Sequence, residues 1–207
     1  LMRGGVRFSQ LFPAFGVPLH GRVRRCPPAQ GNGHATATPT AVAQLMADAM
    51  DDFRLFCAAK LDGRIDASLR FVLALPTPYS WLMAAPGTQP DIEALAALEQ
   101  TYCAAITQLL ATVPPEQLAV QWDAPAELNL WETRGRDLAA PRGLPERVLE
   151  SFVRVWAAVP DTAELGLHLC AGTAASTVAA SCAQAVRLAG AVIASTERQP
   201  AWLHFGV

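Results

Sequence analysis

The sequence predicts an α/β fold, a parallel sheet covered by helices, on three observations. Short apolar runs alternate with longer segments whose apolar residues recur at helical spacing. The runs are nearly continuous in Leu, Val and Ala, as strands buried on both faces of a parallel sheet are. Polar residues gather where the runs end: Thr77, then Gln121 with Asp123, then His168 with Cys170. In folds of this class ligands bind at the C-terminal ends of the strands.

Residues 1–40 form an irregular segment rich in Gly, Pro and Arg, with one short strand expected near Gly21–Cys26. From Ala41 the period changes: Val42, Leu45, Met46, Ala49, Phe53 and Phe56 mark a helix, with Thr40 as its cap and Gly63 as its stop. Leu69–Leu75 is a buried strand ended by Pro76-Thr77-Pro78. A helix opens near Pro90-Asp91, buries Ile92, Leu95, Leu98, Tyr102, Ile106 and Leu109, and closes at Pro114-Pro115. Leu118–Trp122 is the next strand, and residues 126–143 are read mostly as loop. Pro145 suits the first turn of a helix carrying Val148, Leu149, Phe152, Val153 and Trp156. Leu165–Leu169 is a strand, Thr173 to Thr196 an Ala-rich helix, and Ala201–Phe205 the last strand.

Composition narrows the function classes. The chain has 207 residues, a net charge of −2 and 52% hydrophobic residues. Its mean hydropathy is +0.22, which excludes an intrinsically disordered chain. A nucleic-acid partner is not expected, because no dense basic surface is encoded. No stretch is apolar enough for a membrane span, so no membrane partner is expected either. Five cysteines at irregular spacing (Cys26, Cys57, Cys103, Cys170, Cys182) do not make a disulfide framework, and point to a reducing, cytoplasmic setting. Cys57, Cys103 and Cys182 are expected as free thiols on helices.

His168 and Cys170 lie two apart at a strand end, so their side chains share a face. Imidazole and thiolate are preferred zinc ligands, but two residues are also what a buried thiol beside a hydrogen-bonded imidazole would look like. Asp123, with Gln121 before it and Pro125 after it, can grip an ammonium or a hydroxyl, or simply cap a turn. Thr77 offers a hydroxyl between two prolines, or a rigid turn. Glu127 is expected as a solvated loop residue. Phe53, Phe56, Tyr102, Phe152 and Trp156 are expected in the core.

Gln121-Trp122-Asp123-Ala124-Pro125-Ala126, followed by Leu167-His168-Leu169-Cys170, resembles the catalytic domain of cobalamin-independent methionine synthase. That family has a Gln-x-Asp-Glu-Pro-Ala strand end and a His-x-Cys strand end one unit later. Its uncharacterised bacterial and fungal relatives are similar over LAVQWDAPAEL, VPDTAELGLHLCAG and LRFVLALPTPYSWL, with Arg24-Arg25-Cys26-Pro27 and Trp202-Leu203-His204 as further matches. The resemblance implies a single (β/α)8 TIM-barrel-like domain over residues 1–207. It is expected to be incomplete, with about six β/α units and truncation at the C-terminus. It also implies zinc held by His168 and Cys170, a small-molecule thiol substrate such as homocysteine, and a methyl-folate co-substrate. Asp123 carries the substrate-contacting role by resemblance, with Gln121 and Thr77 beside it as further substrate-binding candidates. Ala124 stands where the family has a glutamate; Glu197 and His204 are candidate third zinc ligands. A homo-oligomer covering an open barrel edge is a further expectation. The alternatives are an inactive homologue with a binding or structural role, and a metal-free enzyme on the related uroporphyrinogen-decarboxylase-like barrel.

Overall fold

A computed structural model of the chain describes residues 39–84, 88–89, 91–133, 143–170 and 178–206. The expected strand at Gly21–Cys26 and the Arg24-Arg25-Cys26-Pro27 match lie outside the described residues. Helix α1 (Pro39–Leu61) leads to strand β1 (Phe71–Pro76) and a one-turn helix α2 (Pro78–Leu82). Helix α3 (Ile92–Leu110) and a 3-10 turn at Pro115–Gln117 precede β2 (Leu118–Asp123). Then come α4 (Pro125–Thr133), α5 (Leu144–Ala157), β3 (Glu164–Cys170), α6 (Val178–Ser195) and β4 (Trp202–Gly206).

The four strands form one parallel sheet in the order β1-β2-β3-β4. Parallel neighbours need crossover connections, and right-handed crossovers that never reverse direction keep their helices on one face. The core shows this arrangement. Leu73, Leu75, Val120, Trp122, Leu165, Leu167 and Leu169, the odd or even set of each strand that faces one way, join the buried faces of α1, α3, α5 and α6 in one cluster. The opposite face presents Ala74, Gln121, Asp123, Gly166, His168, Cys170, Trp202 and His204.

Local chemistry accounts for the element ends. Asp91 caps α3, its carboxylate accepting from the backbone N–H of Glu93 at 2.9 Å and of Ala94 at 3.1 Å. Gly63, with φ +67°, follows α1 as expected. Thr40 lies inside α1 rather than capping it, since the helix begins at Pro39. Arg154 of α5 makes two bonds to the Glu99 carboxylate of α3, at 2.5 and 2.8 Å, tying neighbouring helices together. Phe53, Phe56, Tyr102, Phe152 and Trp156 are all core residues.

The segment read as loop after Asp123 is helical through Thr133. Pro125 opens that helix, Leu128 is buried in the main core, and the buried Glu127 anchors its first turn to α2. Its pattern is too short for the helical period to stand out, so tertiary anchoring decides it. Cys57, Cys103, Cys170 and Cys182 are free and half-buried. No helix among the described residues is long and apolar enough to cross a membrane.

Candidate functional site

The register of the sheet builds the site. Gln121 lies opposite Gly166, which lies opposite Trp202. One step toward the C-terminal ends, Asp123 lies opposite His168, and His168 opposite His204. One step further, Cys170 lies opposite Gly206. Because side chains alternate, these three rows project from the same face. The ladder also continues past the strands: the Thr77 N–H donates to Asp123 O and the Ala124 N–H to His168 O, both at 3.0 Å.

Hydrogen bonds join the rows. The His168 Nδ1 atom lies 3.1 Å from Asp123 Oδ1. The Gln121 amide donates to the same oxygen at 2.9 Å, and the Trp202 indole N–H donates to Gln121 Oε1 at 3.2 Å. Cys170 lies close enough to His168 to raise its pKa. With Nδ1 turned to Asp123, the Nε2 edge is the one beside the thiol; a Cβ built on Gly206 would come within 2.8 Å of Cys170 Cβ and 3.2 Å of His168 Nε2. Gly206 therefore leaves the room in which imidazole and thiol meet.

The electrostatics follow from these contacts. The hydrogen bond to Asp123, then the nearby Cys170 thiol, pushes the His168 pKa up to about 9 against the opposing effect of burial. In the metal-free protein His168 is an imidazolium at neutral pH, paired with the Asp123 carboxylate. His204 stacks on it, with ring centroids 4.4 Å apart and 18° between planes. Burial first, and the His168 charge second, hold His204 below the usual histidine range, so a neutral ring lies against a charged one.

Each expected site residue can now be placed. Asp123, Gln121, His168 and Cys170 come together, on three strands where the sequence supplies two separate motifs. The Thr77 hydroxyl is bonded elsewhere. Thr77 is fully buried, accepts from the Ser80 N–H as the cap of α2, and donates its hydroxyl to Glu127. Glu127 is not a solvated loop residue: it is 2% exposed and also accepts from the Ser80 hydroxyl at 2.5 Å. Burial pushes its carboxyl up, outweighing the two hydroxyl donors. Glu197 is exposed and precedes β4, at the opposite end of the sheet from Cys170. His204 is at the site, but nitrogen lone pairs lie in the ring plane, so two stacked rings direct them side by side rather than onto one point. Among the described residues no group of three His, Cys, Asp or Glu is gathered as for a metal ion.

Trp202, Gly166 opposite it and Gly206 opposite Cys170 are not legible in the sequence as site residues. Their part depends on register across β2, β3 and β4, which no local pattern encodes. Comparison with protein-family models, curated proteins and solved structures finds no match to this chain.

Proposed function

We propose that this chain is a (β/α)8-type barrel module of the methionine-synthase kind, and that the polar face of its sheet performs methyl transfer to a small-molecule thiol. The observation that carries the reading is the hydrogen-bonded Asp123–His168 pair with Cys170 beside it on the same face, at the C-terminal ends of β2 and β3. The unreversed strand order with helices on one face supports the barrel, since doubly wound sheets reverse their order. In a barrel the face bearing these residues is the interior one.

The donor set suits zinc in one respect. Imidazoles that bind metal commonly donate their other ring N–H to a carboxylate, and Asp123 holds His168 Nδ1 in that way. His168 Nε2 and Cys170 Sγ then supply a nitrogen and a sulfur donor side by side. Zinc bound there would keep a thiol deprotonated and nucleophilic near neutral pH. Asp123 keeps the imidazole in one orientation, and its remaining oxygen, Oδ2, is left to receive the ammonium of an amino-acid thiol such as homocysteine. A methyl-folate is the donor in this reading, and a cytoplasmic setting suits its reduced thiols.

Elemental analysis of the purified protein tests the proposal. With two protein donors gathered, weak uptake of added zinc is expected in the wild type, with loss in Cys170→Ser and in His168→Ala. Methyl transfer to homocysteine from a methyl-folate is expected to disappear with it. Equal zinc in wild type and Cys170→Ser overturns the assigned ligands. A zinc-free wild type turns the reading toward an inactive homologue with a binding or structural role.

A further inference from the structure

We infer that Trp202 is a positioning residue for the Asp123–His168 pair, acting across β3 through the Gln121 amide, and that Gly166 is the opening that lets it reach. Trp202 belongs to β4 and Gln121 to β2, with β3 between them. A side chain on β3 at that level would block the path. Position 166 is glycine, and the indole lies directly over it: a Cβ there would fall 1.9 Å from Trp202 Cε2 and 2.3 Å from Nε1. Contacts this short are forbidden to any other residue unless the indole moves.

The indole N–H can donate but not accept, so it selects the oxygen end of the Gln121 amide. That choice sends the amide nitrogen to Asp123 Oδ1. The same oxygen meets His168 Nδ1. Two donors on one carboxylate oxygen fix the rotation of the Asp123 side chain, while Oδ2 keeps no hydrogen-bond partner among the described residues. Gln121 is 4% exposed, so water competes poorly for its amide and the indole bond is the stronger constraint for it. The chain Trp202, Gln121, Asp123, His168 therefore sets the imidazole from a residue one row away from the Asp123–His168 pair.

The test separates positioning from packing. Trp202→Phe keeps an aromatic side chain at this position and removes the N–H together with part of the ring system, and Gln121→Met removes the amide while leaving the indole intact. In 15N-labelled protein without metal, the wild type is expected to show a downfield, slowly exchanging His168 Nδ1–H signal and an ordered Gln121 side-chain amide. In Trp202→Phe the His168 signal is expected to broaden away and the Gln121 amide to move toward solvent-like shifts. Gly166→Ala, which displaces the indole, is expected to give the same spectral loss. If Trp202→Phe folds poorly, Gln121→Met, which keeps the shape without the amide, is expected to lose the same His168 signal. Wild-type signals in Trp202→Phe or in Gln121→Met overturn the inference and leave Trp202 a packing residue.

A second arm rests on the zinc reading above: zinc affinity is expected to weaken about tenfold in Trp202→Phe, the usual scale for a lost outer partner of a ligand. A wild type that binds no zinc overturns that reading, while the spectral arm still decides the role of Trp202.

Discussion

At the residue scale the chain shows two acids with opposite environments, Asp123 and Glu127, four positions apart. Asp123 meets donors and an imidazole, whereas Glu127 is buried between α2 and α4, where it accepts from the Thr77 and Ser80 hydroxyls and from backbone N–H groups. Burial holds the Glu127 carboxyl above its ordinary value of 4.5. The folded protein therefore keeps a proton there that the unfolded chain releases above pH 4.5. Its contribution to stability is fully present below that pH and falls as pH rises toward the folded value. Denaturant unfolding of wild type and Glu127→Gln across pH 4–8 should show the wild type losing ground steadily to the variant. Parallel stability profiles for the two proteins would remove the buried-acid account.

At the scale of elements, an arginine at the N-terminal side of the sheet ties the turn before β4 to the turn before β3. The Arg198 guanidinium, in the turn before β4, donates to Val159 O at 3.1 Å, Pro160 O at 2.8 Å and Ala163 O. All three carbonyls belong to the turn between α5 and β3. The backbone answers in kind, since Trp156 of α5 donates its indole N–H to Arg198 O at 3.1 Å. A planar fork can serve several carbonyls at once where a lysine ammonium cannot. Arg198→Lys should lower stability by roughly 2 kcal/mol, the range for buried groups losing a charged partner. Hydrogen exchange should localise the loosening to the start of β3 and β4. Uniform exchange across the sheet in the variant would count against it.

At the scale of the whole molecule, one apolar cluster joins α1, α3, α5 and α6 to three strands. Leu167 sits at its centre on β3, fully buried. Leu167→Ala should cost about 2–5 kcal/mol, transfer and cavity terms together. Because the cluster is continuous, circular dichroism and tryptophan fluorescence should follow the same transition in wild type and variant. Separate transitions for the two probes would show that the layers are not one cooperative unit. The edge strand β4 is less well covered than β2 and β3, with Leu203 and Phe205 more than a third exposed on the helix side.

The amino-acid sequence by itself determined the layer pattern. The runs at Leu69–Leu75, Leu118–Trp122, Leu165–Leu169 and Ala201–Phe205 are all strands within a residue or two, and the aromatic residues at helical spacing are core. Apolar period is local, so it survives in sequence. It also determined that Asp123, His168 and Cys170 stand at strand ends, because period two is equally local. Only the tertiary structure decided what they touch. The Asp123–His168 bond, the indole of Trp202 lying over Gly166, and the bond from Thr77 to Glu127 all depend on register between strands far apart in the chain. Register follows from the packing of the whole sheet against its helices, and no short stretch of residues carries that information.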